Sequence, residues 1–514
     1  MIGAVASAAG PDALALARWQ FGITTVYHFF FVPLTIGLSL FVAIMQTRYH
    51  RTGDQRFWRL TLLFGNLLII NFAMGVVTGI VQEFQFGMNW SDYSRFVGDI
   101  FGAPLALEAL LAFFLEATFL GLWVFGRDKL RPGLHLACIW VVAIASLLSA
   151  YFILALNSFM QHPVGYRLNE VTGRVELTDF VAILTNPALA GAYPHVITSA
   201  WLTAAALVLA VCIWHLYRAG LERARAGDDT APEQPASGHY TRSAVSAYRA
   251  GAKFAATLAI VSGLLSIISG DVQGKVMTEQ QPMKMAIAEG LYESTTGPAG
   301  LSVLTIGSLD GREEIYSLRI PGLLSYLATG SFDEPVEGID DIRVQQEALY
   351  SSTPESVTFS STGYAPNVPV TYWSFRFMIL AGLLVCGAAV FVRSFLKIEP
   401  QPRMGRGWVT VAVALPLLPL LANSAGWIFT EMGRQPWVVF GLMTTEHAVS
   451  PGVGVGEVAT SLVVLTLLYG ALMVIEVRLL LKAIAGGLPP AHAATGLAAP
   501  GASEHGAPHP FHTY

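Results

Sequence analysis

The chain has 514 residues, of which 54% are hydrophobic and only 13% are charged. Soluble domains carry roughly 25% charged residues, so this composition excludes an ordinary soluble protein and predicts a membrane protein. The formal net charge of -5 and the lack of clustered Lys and Arg exclude a nucleic-acid partner.

Nine segments are apolar for long enough to cross a bilayer core of roughly 30 Å. They lie near 23–46, 58–82, 104–126, 134–158, 193–217, 247–269, 372–395, 408–429 and 457–481. Residues 11 to 22 precede the first segment, and we expect them to form a short interfacial lead-in. The chain is therefore predicted to be an all-α polytopic bundle, with residues 1–269 forming transmembrane helices 1–6 and residues 372–482 forming helices 7–9.

Basic residues mark one side of this predicted bundle. The connections after the first, third, fifth and seventh spans hold most of the Arg and Lys, whereas the opposite short loops hold chiefly Arg95, Arg167 and Arg174. Because basic connections stay in the cytoplasm, we expect the N-terminus outside and the C-terminus in the cytoplasm.

Two segments do not fit a membrane span. Residues 270–371 are polar and far longer than an ordinary helix connection, which predicts a functional segment on the outer side. Residues 483–514 are rich in Ala, Gly and Pro, and we expect them to form a disordered cytoplasmic tail.

Several polar or metal-ligating side chains fall within the predicted spans, where a charged residue costs roughly 2.5–3.5 kcal/mol to insert. Haem iron takes nitrogen, thioether or carboxylate ligands, so a haem protein is one explanation. A proton-coupled transporter, whose carboxylates line a substrate path, is another. Taken singly, a Met or His is more often a packing residue. The residues concerned are His28, Glu108, Glu116, His195, Met378 and Glu431.

Two pairs of these residues have informative spacings. Glu108 and Glu116 are eight residues apart, about 800° around a helix and some 12 Å along it, so they share a face. They could form a proton relay or bind polar groups of neighbouring spans. Glu431 and Arg434 have the spacing of an i,i+3 ion pair, and Trp427, one turn earlier, faces the same way.

Several long motifs occur in order along the chain: RWQFGITTVYHFFFVPLTIG, EFQFGMNWSDYSRFVGDIFGAPLALEALLAFFLEATF, LNSFMQHP, QPMKMAIAEG and EMGRQPW. With these motifs the chain resembles subunit I of the cytochrome bd quinol oxidases, up to about Lys482. The resemblance implies a haem-containing enzyme of a bacterial cell membrane that oxidises quinol at the outer face. It also implies that O2 is reduced to water with cytoplasmic protons, which generates a proton gradient without pumping.

The resemblance also implies roles for individual residues. His195 and Met378 would be axial ligands of a low-spin haem b, with Arg376 nearby. His28 and Glu431 would bind the iron of two high-spin haems, one haem b and the other haem d or a third haem b. Further positions implied around the haems are Glu108 beside the iron, Glu116 on the proton route, and Asn157, Trp427 and Arg434 as cofactor contacts.

The outer segment resembles the quinol-binding loop of this family, with Lys284 and Glu289 at its quinol-interacting positions. If this stretch is helical, a spacing of five puts the two side chains about 140° apart. A quinol between them would then need a distorted backbone, and Asp271 and Gln281 are the nearby alternatives. The implied partners are a second membrane subunit, small single-span subunits and the lipid bilayer; a structural subunit without chemistry is the remaining alternative.

Overall fold

The computed structural model describes residues 11–225, 240–352, 356–398 and 402–489. Within these ranges, nine helical segments are long and apolar enough to cross a membrane, which confirms the predicted all-α bundle. The helices are α1 Pro11–His28, α2 Phe31–Thr52, α3 Gln55–Met88, α4 Ser91–Leu107, α5 Phe114–Phe125, α6 Pro132–Gln161, α7 Phe180–Leu184, α8 Pro187–Arg225, α9 Arg242–Gln280, α10 Pro282–Ala288, α11 Leu323–Thr329, α12 Ile339–Tyr350, α13 Val368–Phe395, α14 Gly407–Met432 and α15 Val455–Gly486. A π-helical turn, Glu108–Phe113, joins α4 to α5, and a 3-10 turn spans Thr445–His447.

Three short antiparallel hairpins complete the described structure. They are formed by β1 Tyr166–Asn169 with β2 Arg174–Leu177, β3 Leu301–Gly307 with β4 Glu314–Ile320, and β5 Trp437–Val439 with β6 Met443–Thr444. All three lie in connections between the long helices, so they do not alter the helical class.

The first predicted span has the wrong boundaries. Helix α1 continues to His28, the chain turns at Phe29 and Phe30, and a second helix, α2, begins at Phe31. Pro33 explains the break, because it lacks an N–H and its ring collides with the carbonyl four residues earlier, that of Phe29. His28 is therefore the last residue of α1, at a break in the helix within the first of the nine segments, Asp12–Thr52.

Other helices extend beyond their predicted ends. Helix α9 continues to Gln280, past the predicted end at 269, and α13 begins at Val368, before 372. Helix α15 reaches Gly486, so residues 483–486 are helical although we expected a disordered tail. The rest of that tail, from residue 490, lies outside the described residues. These differences arise because hydropathy marks the apolar part of a helix and not its polar extensions.

Helices α2, α3, α8 and α9 pack on one another through a large cluster of buried apolar side chains. A Cβ atom on Gly37 of α2 would lie 2.3 Å from the Cβ of Ala204 on α8, so only glycine permits this approach. Small residues at such crossings allow helices to pack by close backbone contact, as is common in membranes.

The described parts of the segment from 281 to 367 fold over one end of the bundle, which we call the loop side. Its small apolar clusters include residues of the spanning helices: Met285, Leu291 and Leu324 pack with Phe429 of α14, and Ile287 and Ile339 pack with Val368 of α13. The segment is therefore fixed on the bundle beside the residues that the sequence analysis singled out.

Candidate functional site

A cavity of about 2190 Å³ lies between the helices and below the loop segment. Sites for single small molecules usually have volumes of roughly 300–1,000 Å³, so this cavity has room for several cofactors. Eleven of the twelve predicted site residues line it: His28, Glu108, Glu116, Asn157, His195, Lys284, Glu289, Met378, Trp427, Glu431 and Arg434. The twelfth, Arg376, contacts Glu289.

His28 presents one ring nitrogen for coordination. Its Nδ1 lies 2.9 Å from Oγ1 of Thr78 on α3. That hydroxyl donates to the carbonyl of Met74 at 2.9 Å, so it accepts from His28 and the proton is on Nδ1. The lone pair is then on Nε2, the arrangement in which a hydrogen-bonded imidazole binds a metal.

His195 of α8 has the same arrangement. Its Nδ1 lies 3.0 Å from the carbonyl oxygen of Ser266 on α9. Because a carbonyl only accepts hydrogen bonds, Nδ1 carries the proton and Nε2 is left with the lone pair. A backbone carbonyl of this kind also fixes the orientation of the ring.

A glycine of a neighbouring helix faces each of three candidate ligands. A Cβ on Gly79 would lie 3.2 Å from Cε1 of His28, one on Gly270 would lie 3.3 Å from Cε1 of His195, and one on Gly426 would lie 2.8 Å from Sδ of Met378. These glycines leave the space that the three side chains occupy. The sequence analysis missed them, although glycine within a membrane span was a visible signal.

Glu431 is held by two side chains. Nδ2 of Asn157 on α6 donates to its Oε1 at 2.9 Å, and Arg434 pairs with its Oε2. The predicted i,i+3 ion pair is thus confirmed. The Nε and Nη1 atoms of Arg434 are buried without a hydrogen-bond partner among the described residues. Since an unpaired buried donor is unfavourable, these atoms suit an acidic group of a bound cofactor, such as a haem propionate.

Each carboxyl of the predicted relay accepts a hydrogen bond from a serine of α6. Ser149 Oγ lies 2.7 Å from Glu108, and Ser146 Oγ lies 2.6 Å from Glu116. The π-helical turn between the carboxyls adds one residue to the helix. Eight residues then span about 700° instead of 800°, close to two full turns. The turn therefore aligns both carboxyls along α6, and no sequence pattern predicted it.

Lys284 and Glu289 have different partners in the structure. Helix α10 ends at Ala288, so Lys284 lies within it and Glu289 lies at its end. Nζ of Lys284 donates to Oε1 of Gln161, at the end of α6, at 2.5 Å. Burial lowers the pKa of Lys284 to about 7, and the positive charge of Arg434 adds to this effect.

Glu289 lies beside α13. Its Oε2 accepts from Arg376 at 3.0 Å and from the backbone N–H of Ser302 at 3.3 Å. Burial raises the pKa of Glu289, while Arg376 opposes this shift. Arg376 is two residues from Met378, so Glu289 lies next to the helix that carries a candidate haem ligand.

The two alternatives to this pair differ in their burial. Asp271 forms a half-exposed ion pair with Lys275 at 2.9 Å, whereas Gln281 is buried and donates to the carbonyl of Gln161 at 2.6 Å. Gln161 therefore holds both Gln281 and Lys284, a role that the sequence analysis missed because it depends on how α6 meets α10.

The donor set fits haem. In the described parts of the chain, no three His, Cys, Asp or Glu side chains come close enough to hold a bare metal ion. The available nitrogen, thioether and carboxylate donors instead lie on separate helices around one large cavity. A porphyrin supplies its own nitrogens and needs only one or two axial ligands from the protein.

Comparisons with known proteins agree on one family. The family model described as "Cytochrome bd terminal oxidase subunit I" matches residues 16–488. Cytochrome bd ubiquinol oxidase subunit 1 of Bacillus subtilis is 40% identical over 92% of this chain and 94% of its own length. Cytochrome bd-II ubiquinol oxidase subunit 1 of Escherichia coli is 36% identical over 92% of this chain and 96% of its own. The structure of bd oxidase from Geobacillus thermodenitrificans aligns with a TM-score of 0.77 and 27% identity, over 93% of this chain and 99% of that one.

Proposed function

Because the chain belongs to the cytochrome bd terminal oxidase subunit I family, it is a multi-pass bacterial membrane protein with quinol oxidase activity, and we propose how its residues divide that work. The observation that carries the proposal is the large cavity onto which His28, His195, Met378 and Glu431 open. The family assignment favours the oxidase over the transporter alternative.

His195 and Met378 would hold a low-spin haem b, and His28 and Glu431 would hold two high-spin haems. One of these two is a haem b, and the residue types leave the other as haem d or haem b. When bound, the haems would supply one-electron transfer and the reduction of O2. Hydrogen bonds to Thr78 and Ser266 keep the two histidines in the tautomer that binds iron. Arg434 and Trp427 would contact the cofactors, and Asn157 would keep Glu431 in place.

Quinol would bind at the loop side near Glu289 and Lys284. Burial raises the pKa of Glu289, so its carboxylate, paired with Arg376, binds a proton more tightly than an exposed carboxylate does, which suits a group that accepts a proton as electrons leave quinol. Arg376 would orient Glu289, and the ammonium of Lys284 would orient or polarise a quinol oxygen. Since their described partners differ, the two side chains would act on different parts of the substrate.

Protons for water formation would reach the cavity along α5 and α4. Glu116 is more buried than Glu108, and both face serines of α6. A hydroxyl beside each carboxyl can accept and pass on a proton. With the N-terminus and the loop segment outside and the basic connections inside, protons would enter from the cytoplasm and quinol protons would leave outside. A gradient then forms without a pump.

A second membrane subunit, as the name "subunit I" implies, and small single-span subunits would complete the enzyme. The complex reconstituted into vesicles tests the proposal. With a reduced short-chain quinol we expect O2 consumption, acidification on the loop side and alkalinisation on the other. Glu289→Ala should remove quinol oxidation, whereas Glu337→Gln, at an exposed carboxyl of the same segment, should not. No O2 consumption, or both pH changes on one side, would contradict the proposal.

A further inference from the structure

Helix α15 touches the bundle along a narrow stripe. Its buried side chains are Val458, Tyr469, Glu476 and Ala483, and the last three are seven residues apart. Seven residues make about two turns, so these three lie on one face. That face packs against α1 and α3. A carboxyl, Glu476, thus lies at the centre of an otherwise apolar helix interface.

Glu476 has no described cationic partner that would balance a negative charge on its carboxylate. Its side chain is 7% exposed, and its described hydrogen bond comes from the hydroxyl of Tyr27 to Oε2 at 3.4 Å. Within the described ranges, none of the ion pairs includes it. An ionised carboxyl within the membrane is unfavourable when no cation is paired with it, so a glutamate at this position indicates a function. A glutamine would make the same hydrogen bond without an ionisable group.

The surroundings of Glu476 connect it to His28. Tyr27 immediately precedes His28, and its ring lies 5.2 Å from that of Tyr469. The hydroxyl of Tyr469 donates to the carbonyl of Thr78 at 3.1 Å, and the hydroxyl of Thr78 accepts from Nδ1 of His28. Helix α15 therefore contacts both elements that position His28: Glu476 is hydrogen-bonded to Tyr27 of α1, and Tyr469 is hydrogen-bonded to Thr78 of α3.

The ionisable groups of α1 and α3 that line the cavity are Arg18, Tyr27, His28 and Glu83. On α15, Tyr469 packs against Tyr27, and Arg478, two residues from Glu476, is exposed. The route through Glu108 and Glu116 reaches the cavity along α4 and α5 and is separate from α15.

We propose that Glu476 exchanges a proton in step with the redox state of the centre held by His28. This inference rests on the proposed function. Glu476 would bind one proton from water, forming an O–H bond, on reduction of that centre by quinol, and would release the proton to water on reoxidation by O2. The coupling is electrostatic, because charges interact strongly in the low dielectric of a membrane interior. Tyr27 donates its hydrogen bond throughout and keeps its proton.

A redox titration of the purified complex at several pH values tests the proposal. The midpoint potential of the high-spin haem bands should fall as pH rises, by up to about 59 mV for each tenfold change in proton concentration. Glu476→Gln should flatten this dependence. Glu457→Gln, which alters an exposed carboxyl of the same helix, should leave it unchanged. An equal slope in Glu476→Gln and the unaltered protein would overturn the inference.

Infrared difference spectra between oxidised and reduced complex give a second readout that does not require the glutamine variant to assemble. The unaltered protein should show a protonated-carboxyl band that shifts in D2O, survives in Glu108→Gln and Glu116→Gln, and moves in Glu476→Asp. If no carboxyl band remains beyond those of Glu108 and Glu116, the inference fails. Complete lack of haem bands would instead refute the proposed function itself.

Discussion

Replacing Gly426 by alanine is a direct test of the low-spin haem ligand. Gly426 of α14 faces Met378 of α13, and a Cβ atom there would lie 2.8 Å from Sδ and 3.4 Å from Cγ. Nonbonded heavy atoms are most favourable at roughly 3.5–4.0 Å, so the sulfur would have to retreat by about 0.7–1.2 Å.

Two magnitudes follow from this displacement. Overpacking costs about 1–3 kcal/mol in folding free energy, and we expect about 1 kcal/mol because the flexible methionine can move aside. Distances from metal to ligand tolerate only about 0.2 Å, so the retreat is several times too large for the iron–sulfur bond. The variant should therefore fold and insert normally but lose the low-spin haem band.

Visible spectra of purified variants check this expectation. Gly387→Ala, on the same helix as Met378 and with nothing within 4 Å of the new Cβ, is the matched control and should keep every band. Gly79→Ala, 3.2 Å from the ring of His28, should disturb only the high-spin bands. An unchanged low-spin band in Gly426→Ala would refute the assignment of Met378, and so would equal band loss in both Gly426→Ala and Gly387→Ala.

Three further variants probe the rest of the site. Glu289→Gln should lower quinol oxidation about tenfold or more with unchanged haem spectra, because the amide cannot accept the quinol proton. Full activity of this variant in steady-state assays would count against the role of Glu289 as proton acceptor. The value of kcat/KM for quinol should fall as pH rises through about 7, because burial lowers the pKa of Lys284 to about 7 and the ammonium is lost above it. A pH profile of Lys284→Met should lack this inflection, and retention of the inflection would assign it to another group. Asn157→Leu removes the hydrogen bond to Glu431 and should destabilise the protein by about 1.5–3 kcal/mol and shift a high-spin band; an unaltered band would mean that Asn157 does not position Glu431.

The sequence predicted the spans and the polar or metal-ligating side chains within them because both have local causes. A long apolar run must cross the membrane, and a histidine or carboxyl within it needs a reason. Pro33 was a visible cause of the break after His28. Because proline is also tolerated in the first turn of a helix, Pro33 alone does not fix where the preceding helix ends and the next begins. The boundary therefore depended on packing that the sequence does not show.

Other features of the site depend on the tertiary structure alone. The π-helical turn after Glu108 arises in a segment whose residues also suit an α-helix. The contact between Lys284 and Gln161 requires the end of α6 to meet α10, across more than 120 residues of chain. Glu476 was missed because its apolar neighbours made the last span look ordinary, and only the burial of its stripe singles it out.

The reduced-minus-oxidised visible spectrum of the purified complex, combined with extraction and counting of its haems, tests the central claim most directly. We predict a low-spin haem b band together with high-spin bands, and three haems for each copy of this chain. A protein that inserts correctly but shows no haem absorbance would contradict the account.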